Sequence, residues 1–91
     1  MDLDRLILET TFRQLILEPD KDAGLARFEA IVGRAAAEEE FETAVGRLLS
    51  RELIYDPVTL PAGALQCHWR LELTPVGVEA VHGYSRLQPK Q

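Results

Sequence analysis

A chain of 91 residues, 46% of them hydrophobic, makes one small domain with enough apolar surface for a core and little to spare. The net charge of −5, from 10 basic and 15 acidic side chains, argues against non-specific polyanion binding, which depends on Lys and Arg displacing counterions. The single cysteine, Cys67, excludes an internal disulfide, and no apolar run approaches the roughly 18 residues that span a bilayer.

The charge is unevenly placed. Residues 1–52 hold seven basic and twelve acidic side chains, whereas residues 53–91 hold three of each. Only two of the basic residues are lysines, so any phosphate contact would fall to scattered arginines. Met1-Asp2-Leu3-Asp4-Arg5 is acidic and lacks the basic-then-apolar layout of a signal peptide. With one unpaired cysteine, this predicts a soluble, cytoplasmic protein without a membrane partner.

The first helix is expected within residues 1–17. Leu8, Phe12, Leu15 and Ile16 share a stripe at helical spacing, and Leu3, Leu6, Ile7 and Leu17 widen it. So broad a stripe fits burial between neighbouring elements or a second, intermolecular contact. Pro19 closes the helix, because the residue before a proline avoids the helical region.

A second helix is expected over residues 20–33. Asp20 or Asp22 can cap it, Leu25, Phe28, Ile31 and Val32 share a face, and Gly33 ends it. Arg34, Ala35 and Ala36 form a turn of the length found between the helices of a helix-turn-helix.

The third helix is expected over residues 37–51. Glutamates suit its first turn and Arg47 and Arg51 its last, where the helix dipole is negative. Phe41, Ala44, Val45 and Leu48 make the inward stripe, with Leu49 widening it. The outward face is Glu39, Glu40, Glu42, Thr43, Gly46 and Arg47.

Residues 53–74 read as a β-hairpin. Pro57 lies in the first strand, which must therefore be an edge or carry a bulge, and Pro61-Ala62-Gly63-Ala64 supplies the turn. The return strand alternates, with Leu65, Cys67, Trp69, Leu71 and Leu73 on one side and Gln66, His68, Arg70 and Glu72 on the other. Thr74-Pro75 reads as an N-cap and first helical position for a last helix over residues 75–85, which buries Val78 and Val81.

In that order the parts resemble a winged helix-turn-helix domain of the small bacterial regulator type, and the resemblance covers nearly the whole chain. Glu52-Leu53-Ile54 stands where such proteins usually carry Gly-Leu-Ile, and Leu73-Thr74-Pro75-Val76-Gly77 matches their strand-to-helix joint. The resemblance implies an α+β winged helix of three helices, a hairpin wing and a short C-terminal helix. It also implies a third helix that enters the DNA major groove, a wing that touches the backbone, and a dimer formed through the first and last helices.

Carried onto this sequence, the DNA-binding set is Arg34, Thr43, Arg47, Arg51, His68 and Arg70, and the dimer or partner contacts are Leu3, Leu6, Leu17, His82 and Tyr84. The outward glutamates depart from the pattern, because three carboxylates would approach phosphates, and arginine, lysine, asparagine and glutamine make the commoner base contacts. Two readings follow. One is a dimeric DNA-binding regulator. The other is a winged helix that binds a protein partner, favoured by the acidic third helix and the broad first stripe.

Enzymatic chemistry is not expected. Neighbouring strand residues point to opposite faces, so Cys67 and His68 cannot act as a pair. One cysteine and two histidines fall short of a structural zinc set, and no Gly-rich phosphate loop or nucleophile elbow occurs. No metal or cofactor is predicted. Trp69 fits core packing better than an exposed ligand platform, and the run Glu38-Glu39-Glu40 fits helix capping and solvation.

Overall fold

A computed structural model of the chain describes residues 3–58 and 69–87. Among them lie helix α1 (Leu3–Arg13), strand β1 (Ile16–Glu18), helices α2 (Lys21–Val32) and α3 (Glu38–Ser50), strand β2 (Trp69–Leu71) and helix α4 (Pro75–Leu87). It is a small α+β fold of four helices and antiparallel strand pairing.

The caps explain why the helices stop where they do. The Asp20 carboxylate accepts from the Ala23 amide at 2.8 Å and starts α2. Gly33, at φ 77°, ends it with its own N–H on the Glu29 carbonyl. The exit of α3 is a Schellman motif: the Glu52 amide donates to the Leu49 carbonyl and the Leu53 amide to that of Leu48, both at 3.0 Å. Glu52 takes the left-handed position, with φ 60°. Glycine adopts that conformation without penalty, which gives a physical reason for glycine before Leu-Ile in the resembling proteins.

The first helix is shorter than expected. α1 ends at Arg13 rather than at residue 17, and Ile16–Glu18 pairs antiparallel with β2, with Ile16 opposite Leu71, Leu17 opposite Arg70 and Glu18 opposite Trp69. Pro19 favours the second outcome, because the residue before a proline is pushed toward extended backbone and Glu18 can take it as the end of a strand. Extension turns Ile16 fully inward and leaves Leu17 exposed.

Residues 54–57 run along the other side of β2. Ile54 bridges Leu73, the Tyr55 amide donates to the Glu72 carbonyl, and the Arg70 amide donates to the Pro57 carbonyl. Pro57 thus contributes only an acceptor, at an outer position of the sheet. The expected hairpin turn and the return strand before Trp69, including Cys67 and His68, lie outside the described residues.

The joint into α4 depends on two side-chain features. Thr74 Oγ1 accepts from the Gly77 amide at 3.1 Å and donates to the Glu52 carbonyl at 2.6 Å. A Cβ on Gly77 would collide with the Leu53 carbonyl oxygen, so the first turn of α4 lies directly on the exit of α3. α4 then runs to Leu87, two residues beyond the expected end.

The core joins all these elements. Ile7 and Leu8 come from α1, Ile16 from β1, Phe28 from α2, and Phe41, Ala44 and Leu48 from α3. Leu53, Ile54, Trp69, Leu71 and Val81 complete it. Phe41 is the hub, with ring centroids 5.2 Å from Phe28 and 6.1 Å from Trp69. Trp69 also fills the space beside Gly24, where a Cβ would strike the indole, and this sets how closely α2 lies on β2.

Candidate interaction face on the third helix

The inward stripe of α3 is Phe41, Ala44 and Leu48, so the opposite face must point to solvent. Glu39, Glu40, Glu42, Thr43, Gly46 and Arg47 are all exposed. Three carboxylates in the first turn face the positive end of the helix dipole, which offsets the lack of a side-chain cap at Ala37.

Lys21, at the start of α2, reaches across to α3. Its Nζ lies 2.6 Å from Glu42 and 3.6 Å from Glu38, and the hydrogen bond to Glu42 raises its pKa above the ordinary 10.5. The turn between the helices is tied from the other side, where the Glu29 carboxylate accepts from the Ala36 amide at 2.8 Å.

Arg47 faces α1. Its Nη2 donates to Asp4 Oδ1 at 2.6 Å and its Nε to Asp4 Oδ2 at 2.9 Å, a two-pronged pair across 43 positions of sequence. The Asp4 side chain is 9% exposed and that of Arg47 is 53% exposed. Arg47 holds the Asp4 carboxyl below its ordinary pKa of 3.8, against the opposing effect of burial.

Of the expected DNA-binding set, Thr43 and Arg47 line one open cleft of about 480 Å³ together with Leu3, Glu39 and Glu40. The Thr43 hydroxyl donates back to the Glu39 carbonyl at 2.9 Å. Arg70 lies on the sheet with a side chain only 16% exposed, paired with Glu72 at 2.7 Å and stacked 5.1 Å over the Tyr55 ring. Arg34 and Arg51 are exposed and make no ion pair with the described residues. His68 lies outside the described residues.

The expected dimer contacts divide in a similar way. Leu3 and Leu6 are half-buried against the core, whereas Leu17 is exposed on β1 beside exposed Leu15. His82, on the surface of α4, meets the edge of the Phe12 ring at a 5.5 Å centroid distance. Tyr84 lies in α4, and its side chain is outside the described residues.

Sequence reasoning missed Lys21, Asp4 and a groove. Between α3 and residues 56–58 runs an open, mainly apolar groove of about 220 Å³, floored by Phe41, Val45 and Trp69 and walled by Leu49, Pro57 and Val58. Leu49 carried a partial signal, as the residue that widened the inward stripe. Among the described residues no group of His, Cys, Asp and Glu could hold a metal ion, and no helix is long and apolar enough to cross a membrane. No family model matches the chain, and neither does any curated protein or solved structure.

Proposed function

We propose that the chain is a winged helix-turn-helix domain that works without catalysis, as a regulatory module binding a protein partner through the outer face of α3. The α1-β1-α2-α3 order supports the architecture. So do the Schellman exit at Glu52 and the Thr74 and Gly77 joint. The observation that carries the function is electrostatic. Glu39 and Glu40 stand exposed with no ion pair among the described residues, while Arg47, the cation best placed on α3, is held by Asp4. A face of this sign attracts a basic protein surface and repels phosphates.

The second reading is a DNA-binding regulator, favoured by exposed Arg34 and Arg51 at opposite ends of α3. Fluorescence anisotropy separates the two. Labelled genomic-fragment DNA and a labelled Lys/Arg-rich peptide are titrated at low and at physiological salt. The peptide should bind and the DNA should not, and Glu39→Lys with Glu40→Lys should abolish the peptide signal. Salt-sensitive DNA binding that falls in Arg34→Ala or Arg51→Ala would overturn the proposal.

A homodimer belongs to the same reading, with exposed Phe12, Leu15 and Leu17 as its apolar contacts. Sedimentation of Leu17→Asp tests it, since an unchanged profile rules that contact out.

A further inference from the structure

We infer that the groove between α3 and residues 56–58 is the anchor socket of the α3 face. It receives one aliphatic or aromatic side chain from a partner segment with a lysine or arginine beside it. This rests on the protein-contact reading above and names where the partner's apolar contact falls.

Size argues for a side chain rather than a small molecule, because ligand pockets usually enclose about 300–1,000 Å³ and this groove offers about 220 Å³ and is open. Its floor is rigid. Phe41 and Trp69 are almost fully buried and packed on one another. The far wall is also held, since the Asp56 carboxylate accepts from the Val58 amide at 3.0 Å and the Pro57 carbonyl accepts from Arg70. A preformed socket avoids the ordering cost that weakens many interfaces.

Leu49 and Val58 remain 37% and 72% exposed on the two sides, so among the described residues the apolar surface is left uncovered. Gly46 also lines the groove, with no described atom within 4 Å of where its Cβ would sit, so a partner backbone can approach α3 there. The charges at the rim select the neighbour of the anchor. Lys21 is taken up between Glu42 and Glu38, whereas Asp56 has no cation among the described residues. A basic residue flanking the anchor meets Asp56, the rim carboxylate that Lys21 does not engage.

The test is selection of phage-displayed random dodecapeptides on the immobilised full chain, followed by anisotropy titration of the enriched peptides. Gly46→Gln is the decisive variant. It fills the open space at Gly46 from an exposed helix position where glutamine is the better helix former, so the fold is retained. Enriched peptides should carry one large apolar residue next to Lys or Arg, and Gly46→Gln should weaken them about tenfold or more. Basic peptides that bind Gly46→Gln as well as wild type, but are lost in Glu39→Lys with Glu40→Lys, overturn the socket and leave the α3 face standing. No enrichment overturns the socket, and DNA binding in the parallel titration overturns the reading beneath it.

Discussion

Replacing Asp4 with asparagine keeps the shape of the side chain and removes the charge that holds Arg47. The structure bounds the cost. Hydrogen bonds to charged groups contribute about 1.5–3 kcal/mol each way they have been dissected, whereas exposed ion pairs contribute about 0.2–1 kcal/mol. Asp4 is 9% exposed and Arg47 53% exposed, so the pair falls between those limits. Asp4 also lies in the first turn of α1, where a negative charge meets the positive end of the dipole. The loss at neutral pH should be about 1–2 kcal/mol. Because Arg47 keeps the folded carboxyl below its ordinary pKa of 3.8, the folded state binds this proton less readily than the unfolded state. The contribution is therefore complete above that ordinary value and is lost as pH falls through the lower folded one. Urea unfolding followed by the fluorescence of Trp69, the only tryptophan and a core residue, reads both variants. The gap between wild type and Asp4→Asn should be full at about pH 7 and should narrow between about pH 5 and pH 2. An equal gap across that range would refute the assignment of the effect to the Asp4 charge.

The two backbone junctions give predictions of opposite sign. Glu52→Gly relieves a left-handed residue that costs about 1–2 kcal/mol, set against about 0.5–1 kcal/mol of added freedom in the unfolded chain. A net gain of about 0.5–1 kcal/mol should appear as a higher urea midpoint with an unchanged slope, and no gain would mean that Glu52 is unstrained. Gly77→Ala places a methyl against the Leu53 carbonyl oxygen, a backbone atom that cannot rotate aside. It should cost about 1–3 kcal/mol in the same assay, and a neutral result would show that α4 can slide away from the α3 exit.

The helices after Pro19 were legible because most of their start and stop signals are local. Asp20, Gly33 and Thr74 each satisfy backbone groups within a few residues, so the short motifs that mark them carry the mechanism with them. The end of α1 was not legible for the opposite reason. Leu15, Ile16 and Leu17 continue a helical stripe, and a short apolar run has no periodicity that separates strand from helix. What decides it is pairing with Trp69–Leu71, more than fifty residues away in sequence. The site divides along the same line. The outward face of α3 follows from its own 3.6-residue period, and all six expected outward residues are exposed. The partners of its charges do not follow from that period. Asp4 meets Arg47 only because α1 packs across α3, and the groove exists only because residues 56–58 lie beside α3.

That distinction bears on function, because a count of arginines overstates what is available to phosphate. Among the described residues Arg5 pairs with Glu9, Lys21 with Glu42, Arg47 with Asp4 and Arg70 with Glu72. Two of these four, Arg47 and Arg70, belong to the DNA-binding set that the winged-helix resemblance implies, and Arg34 and Arg51 of that set make no ion pair with the described residues. For Arg47 to meet a phosphate it must leave Asp4 or share its guanidinium. The pair is worth about 1–2 kcal/mol, so the exchange lowers DNA affinity by about tenfold before Glu39 and Glu40 add their repulsion. A basic protein surface incurs no such exchange, since it meets the carboxylates directly and leaves the Asp4–Arg47 pair in place. Asp4→Asn therefore connects stability with specificity: the substitution that loosens the fold should also raise whatever DNA affinity the α3 face has.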